Sequence, residues 1–218
     1  MIPETVKIGS VQYAVKLVAE IEDRDDDNEN ADMGTACYGE IRHTPCVINL
    51  LENRPDDATR QTLWHEIIHG AQFRARVDPT EGAACVYADL MCRMPHLNWR
   101  DGPLPASIDL WGVTIAIKGC RNPNNFVQST PLDYSPRDGI LRIRDSAPCR
   151  TMHNLLKGLF IAADRMMCLN GPDVQVYRLA AYVYQVLIDN PALWESQQRA
   201  ERPSAKRRRH KPDAPKAA

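Results

Sequence analysis

Two stretches of this chain read alike, and the likeness constrains the fold more than any other feature. Residues 6–16 align without a gap with residues 108–118, and both stretches read as a β-hairpin around a glycine. A polar excursion follows each hairpin, acidic over residues 20–30 and rich in Asn and Pro over 121–138. Strands are predicted next, over 38–42 and 47–51 around a turn in the first stretch, and over 139–144 in the second.

A pair of helices is predicted to complete each copy. Residues 62–70 align with 150–158, and residues 81–90 with 178–187. We therefore expect an α+β fold with two degenerate ββ(β)αα copies, over residues 1–98 and 106–193, and with small antiparallel sheets packed on helices. Identity between the copies is low and the gaps between blocks differ, so convergence of two similar segments is the alternative.

The first helix of the first copy carries an HExxH pattern, formed by His65, Glu66 and His69. Residues four apart lie on one helix face, about 5–6 Å from each other, so two imidazoles can reach a single metal ion while the Glu stands beside it. Leu63, Ile67 and Ala71 recur four apart as a predicted core stripe away from the histidines. Residues 54–57 supply a predicted turn and an acidic N-cap. The alternative is a solvated helix that happens to carry two histidines.

A third metal ligand is predicted from the comparison of the copies. Glu81 opens the helix after the HExxH helix, and Arg178 replaces it in the copy that has also lost the second His of the motif. The alternative is that Glu81 only complements the helix dipole. Gln72 and Ala75 stand where the metzincin motif requires Gly and His, so that arrangement is excluded. The competing ligands are Asp78, Asp89 and His96, and, because they lie near the motif, Cys85 and Cys92.

The motif at 62–70, preceded by strands and followed by a helix that begins with Glu81, resembles the minimal gluzincin-like metallopeptidases of phages and bacteria, in the neighbourhood of the ImmA/IrrE and SprT families. Residues 184–190 look like the closing helix of small prophage members. The resemblance implies a zincin-like fold, zinc ligation by His65 and His69, base catalysis by Glu66 and hydrolysis of peptide bonds. In those relatives the two motifs sit close together, whereas here more than a hundred residues part them, as a duplication would explain.

Composition narrows the remaining possibilities. The chain has 218 residues and no apolar run of membrane-spanning length, so we expect a cytoplasmic protein with no membrane partner. Its seven cysteines are scattered, without a CxxC pair, and are predicted to be free thiols.

The end of the chain, residues 194–218, is predicted to be a disordered basic tail. From Arg199 onward it has eight Lys or Arg against two acids, which could contact nucleic-acid phosphates nonspecifically. The alternative to a peptidase is therefore a noncatalytic metal-stabilised protein that binds a protein partner or nucleic acid.

Overall fold

A computed structural model describes most of the chain. The described residues are 2–21, 38–78, 80–94, 97–100, 102–120, 132–144 and 147–194, with the side chains of 148 and 149 excluded. The predicted tail beyond 194, His96 and most of the two polar excursions lie outside these ranges.

The first half of the chain forms a four-stranded sheet followed by two helices. Its strands lie in the order β1-β2-β4-β3, so that β1 and β3 are the edges. The elements are β1 (Thr5–Ile8), β2 (Val11–Val18), β3 (Gly39–Arg42), β4 (Val47–Leu51), α1 (Asp56–Ala75) and α2 (Glu81–Arg93).

The second half repeats this order, with its strands arranged β5-β6-β8-β7. The elements are β5 (Ser107–Leu110), β6 (Val113–Cys120), β7 (Leu132–Ser135), β8 (Ile140–Arg144), α3 (Pro148–Met166) and α4 (Asp173–Asp189). A further helical turn covers 192–194.

Strand register is also the same in the two sheets. Thr5 pairs with Ala14 in the first hairpin, and Ser107 pairs with Ala116 in the second, each 102 positions later. Gly9 and Gly112 both have positive φ in the turns of these hairpins, the conformation that glycine adopts most readily. The predicted hairpins and the α+β class are therefore confirmed.

The prediction of antiparallel sheets is wrong for the central strand pair of each half. β2 pairs in parallel with β4, and β6 with β8, while the outer pairs are antiparallel. After β2 the chain first forms β3 at the edge of the sheet, and it then turns back to form β4 between β2 and β3. Strand β4 therefore runs in the same direction as β2. Alternation of apolar residues predicts a strand but does not choose its neighbour. Strand β7 lies within the stretch that was predicted as an Asn- and Pro-rich excursion, so the strand itself was not predicted. It gives a weak signal because it has only four residues between two prolines.

Helix α1 begins differently from the predicted acidic N-cap. Pro55 is the N-cap and makes no side-chain capping bond. Asp56 and Asp57 lie in the first turn, where their negative charges interact favourably with the helix dipole. The Thr59 hydroxyl donates to the Pro55 carbonyl at 3.1 Å. In α3 the cap is Ala147 with nearly the same backbone angles, and Thr151 makes the corresponding bond at 3.3 Å.

The two halves share one hydrophobic core. Helix α1 packs on α4, and α2 on α3. The Tyr87 ring of α2 stacks on the Phe160 ring of α3, with centroids 4.3 Å apart. Contacts at the periphery are reciprocal: Asn190, after α4, bonds both backbone polar groups of Lys7 in β1, and the indole of Trp111, in the β5–β6 turn, donates to Asp89 of α2.

Replacing Phe160 with Ala is expected to destabilise the whole molecule. Phe160 is fully buried at the contact between halves, and truncation of a buried Phe costs about 3–5 kcal/mol of unfolding free energy. The same substitution at Phe73, whose side chain is 54% exposed, should cost about 1 kcal/mol or less. Urea unfolding of the two variants measures the loss of unfolding free energy. If Phe160→Ala lost no more stability than Phe73→Ala, the halves would not depend on their shared core.

Candidate metal centre

Helix α1 separates a core face from a face that carries the motif. Leu63, Ile67 and Ala71 are buried, as the predicted stripe requires. The side chains of His65 and His69 retain 18% and 22% of their exposure. The histidines therefore lie at the edge of the core, where a metal ion and a water molecule can reach them.

The loop after α1 brings Glu81 to these histidines. Arg76 ends the helix in the left-handed conformation, and α2 begins at Glu81 and packs beside α1. One oxygen of Glu81 lies 2.9 Å from Nε2 of His65, and the other lies 3.1 Å from Nε2 of His69. The two Nε2 atoms are 3.0 Å apart. The structure thus brings together the three side chains that the sequence nominated.

The competing ligands that the structure describes do not join this cluster. Among the described residues, His65, His69 and Glu81 form the one group of three His, Cys, Asp or Glu side chains close enough to hold an ion, with their ligand atoms within 4.8 Å of one another. The Asp89 carboxylate is bonded to Arg93 at 2.7 Å and to Trp111 at 2.6 Å. His96 lies outside the described residues.

Two cysteines lie near the motif in the sequence but outside the triad. Cys85 Sγ lies 3.8 Å from Nδ1 of His65 and 3.9 Å from a Glu81 oxygen. Burial, with the Glu81 charge adding to it, raises the pKa of the Cys85 thiol. Burial raises the pKa of Cys92 to about 12. Neither sulfur belongs to the group of close ligand atoms that the described residues form.

Gln72 is a site residue that sequence reasoning overlooked. Its side chain is 1% exposed, and its Oε1 atom lies 3.1 Å from Nδ1 of His69. An amide oxygen accepts a hydrogen bond, so this contact places the imidazole proton on Nδ1 and leaves Nε2 free toward Glu81. Its position three residues after His69, on the same helix face, was the available signal.

Glu66 is buried beside the edge strand β3. It is 5% exposed, and the backbone N–H of Ile41 bonds its carboxylate. Burial raises the pKa of Glu66 to about 8, the Glu81 charge adds to this, and the Ile41 bond opposes it. A cation held nearby acts in the direction of the Ile41 bond. Burial also lowers the pKa of His65, although the Glu81 carboxylate acts in the opposite direction. The lowered pKa favours the neutral imidazole, which is the form that binds a metal ion.

The close approach of Glu66 to β3 requires a glycine. A Cβ atom at Gly39 would come closest to Cγ2 of Thr62, and it would lie 2.9 Å from Oε1 of Glu66 and 3.1 Å from its Cγ. The second half differs at both positions, and Leu141 of β8 packs against the glycine in its helix. Counted from the start of its helix, Gly158 takes the place of Glu66, and Leu132 takes the place of Gly39 in the strand.

Gly39→Ala is expected to move the Glu66 carboxylate without removing it. A displacement of about 1 Å at a reacting group costs up to about 100-fold in rate, so the hydrolysis expected from the motif should fall by about 10- to 100-fold while the metal content stays unchanged. Gly119→Ala in β6 is the control, because its Cβ meets only Leu104 at 3.7 Å. Kinetics and metal analysis of both variants measure the effect, and an unaltered rate in Gly39→Ala contradicts the placement of Glu66.

Tyr38 and Tyr87 are candidates for stabilising an oxyanion from their place in the sequence, and both have other partners in the structure. The hydroxyl of Tyr87 is buried and donates to Asp164 at 3.4 Å, which removes it as a candidate. Tyr38 is 42% exposed, and the Arg54 guanidinium lies 3.5 Å from the centre of its ring.

His153 belongs to no cluster of metal-ligating side chains among the described residues. Its ring stacks on Tyr184 at 4.8 Å, and burial, together with the nearby Lys157, lowers its pKa to about 4. Counted from the helix start, Lys157 and not His153 takes the place of His65. The second half therefore presents no counterpart of the triad in its described residues.

Comparison of the sequence with models of protein families and with characterised proteins, and of the structure with solved structures, returned no significant match. In the part of the chain that the structure describes, no helix combines the length and the apolar character needed to cross a membrane.

Proposed function

We propose that this protein is a zinc-dependent metallopeptidase of the HExxH type, acting on a peptide or protein substrate. The observation that supports this most directly is the convergence of His65, His69 and Glu81 on one point beside the buried Glu66. The expected zincin-like character of the first half, and the descent of both halves from one duplicated unit, are part of the same proposal. The shared strand order and register support the duplication.

The donor set suits zinc. Two imidazole nitrogens and one carboxylate oxygen are the ligand types of catalytic zinc sites that keep one position open for water. Tetrahedral ligands at about 2.0–2.2 Å from an ion lie roughly 3.3–3.5 Å from one another. The two Nε2 atoms lie 3.0 Å apart, with one Glu81 oxygen 2.9 Å from that of His65 and the other 3.1 Å from that of His69, so outward shifts of a few tenths of an ångström accommodate the ion. The Gln72 bond to His69 orients a ligand in the manner of the outer partners of metal sites.

Glu66 is assigned as the general base. A zinc ion in the site supplies Lewis acidity, which lowers the pKa of water and polarises a carbonyl group. Glu66 accepts the proton of the attacking water and, in this role, delivers it to the leaving amine. The Ile41 N–H holds the carboxylate in place during both transfers.

The exposure of the triad favours catalysis over a purely structural metal. Structural zinc sites are closed by four protein ligands, whereas the described cluster has three, and the side chain of Glu81 is 71% exposed. The noncatalytic alternative, a metal-stabilised protein that binds a protein partner or nucleic acid, predicts a closed site. We assign the second half a structural role, in which its helices cover those of the first.

Removal of the metal is expected to abolish hydrolysis reversibly. The test incubates the full chain with an unstructured labelled protein such as casein, before and after treatment with a zinc chelator. Hydrolysis should stop after chelation and return when one equivalent of zinc is added, since the metal supplies the Lewis acidity. Zinc binding without hydrolysis across a broad set of peptides supports the noncatalytic alternative, and hydrolysis that survives chelation refutes the metal mechanism.

A further inference from the structure

A half-open cavity of about 230 Å³ lies where the loop between α1 and α2 meets the loop between α3 and α4. Its walls include the apolar side chains of Val77, Leu169, Val176 and Leu179. Pockets for drug-sized ligands have volumes of roughly 300–1,000 Å³, so this cavity suits a smaller group, such as one side chain.

The charged groups that line this cavity are all acidic. Asp164 and Asp78 contribute carboxylates, and none of its described lining residues is Lys, Arg or His. Asp164 is 5% exposed, whereas Asp78 is exposed. A cavity with one sign of charge and low-dielectric walls concentrates ions of the opposite sign. The lining therefore favours a cation with an apolar stem.

The Asp164 carboxylate is fixed in position and has acceptor capacity to spare. Its Oδ1 atom accepts bonds from the Tyr87 hydroxyl at 3.4 Å and from the Gly171 N–H at 3.2 Å. No described residue donates a hydrogen bond to Oδ2. Stacking of Tyr87 on Phe160, with ring planes within 8° of parallel, holds one of these donors. An ionised carboxylate accepts about four hydrogen bonds, which leaves room for an N–H donor from a ligand.

The cavity adjoins the candidate metal centre. Gln72 lines the cavity and also bonds to Nδ1 of His69. Thr80 and Ala83, on either side of Glu81 in the chain, line it as well. A group in the cavity is thus separated from the triad by the thickness of one side chain, within the span of neighbouring residues of an extended peptide.

We propose that this cavity binds an alkylammonium or guanidinium group through Asp164, with the aliphatic stem against the apolar walls. The source is either the Lys or Arg side chain of a peptide held at the metal centre or a free small amine. The peptide source rests on the proposed peptidase function, whereas binding of the cation does not.

The binding test uses the full chain and two probes that differ in one group. Nα-acetyl-lysine amide carries the ammonium group, and Nα-acetyl-norleucine amide has a similar stem without it. In NMR titrations the lysine probe should bind about tenfold more tightly, as one charge-assisted hydrogen bond provides. Asp164→Asn should remove this preference. Asp138→Asn is the matched control, because its exposed carboxylate accepts a bond from the Ser135 hydroxyl and does not line the cavity, and it should retain the preference.

A second variant guards against a misfolded Asp164→Asn protein. Gln175→Trp narrows the cavity from α4 and leaves Asp164 in place, and it should weaken binding of both probes. Equal affinity for the two probes in the unmodified protein, or a lysine preference that survives Asp164→Asn, overturns the proposal.

Cleavage specificity separates the two sources of the cation. With peptides that carry lysine or norleucine at each position around the cleaved bond, a peptide source predicts faster cleavage at one lysine position, lost in Asp164→Asn. Lysine-selective binding without that cleavage preference supports the cation site with a free amine as its ligand. If the protein shows no hydrolysis but retains selective binding, the peptidase function fails and the cation site stands. If the protein hydrolyses peptides but shows no lysine-selective binding, the cation site fails and the peptidase function stands.

Discussion

Glu66→Gln is expected to lower the rate of peptide hydrolysis by about two to four orders of magnitude, the usual contribution of a general base. The substitution keeps the shape of the side chain, and its amide oxygen can still accept the Ile41 bond, so the fold around β3 should not change. Only the capacity to accept a proton is lost. Steady-state kinetics should therefore show a lower kcat at nearly constant KM.

Metal content decides whether Glu66 has been assigned correctly. Zinc should remain at one equivalent per chain in Glu66→Gln, because its ligands are untouched. Glu52→Gln is the matched control: this carboxylate is exposed near the start of α1, and its replacement should alter neither rate nor metal. Loss of zinc together with activity in Glu66→Gln would mean that a ligand has been mistaken for a base.

The second large effect is expected from the histidines. His65→Ala and His69→Ala should each abolish stoichiometric zinc binding, because each removes one of two imidazoles that face the same point 3.0 Å apart. Glu81→Ala should weaken zinc affinity severely, since it leaves only two protein ligands. Equilibrium dialysis followed by metal analysis provides the measurement.

The same substitution elsewhere separates ligation from general damage. His43→Ala removes an imidazole that stacks on Phe73 at 3.9 Å, bonds to Tyr13 and is not a member of the triad, so zinc should be retained. His153→Ala in the second half should also leave zinc unchanged. Unaltered zinc in both His65→Ala and His69→Ala would remove the basis of the site.

Features governed by local periodicity were predictable from the sequence. The spacing of Leu63, Ile67 and Ala71 identified the buried face of α1, and the same period placed His65 and His69 side by side. Glycine and alternating residues identified both hairpins. Glu81 was nominated because it begins a helix just after a short loop, which limits the distance between the two helices.

Features that depend on tertiary placement were not predictable. The parallel pairing of β2 with β4 depends on which strand lies beside β2 in the sheet. The alternation of apolar residues along a strand does not specify its neighbour. The need for Gly39 arises only when β3 crosses over Glu66. Tyr87 was a reasonable oxyanion candidate by its place on α2, but its partner Asp164 comes from the other half of the chain. Alignment of the helices by motif also differed by four residues from their alignment by N-caps, which moved the counterpart of His65 from His153 to Lys157.

X-ray absorption at the zinc edge, recorded on the zinc-loaded full chain, tests the central claim most directly. Two imidazoles, a carboxylate and water predict about four nitrogen or oxygen neighbours at roughly 2.0–2.2 Å, with imidazole scattering from both His65 and His69. Coordination by this triad places no sulfur atom among the zinc ligands. A sulfur neighbour at about 2.3 Å would point to Cys85 and contradict the assignment, as would the absence of one firmly bound zinc per chain.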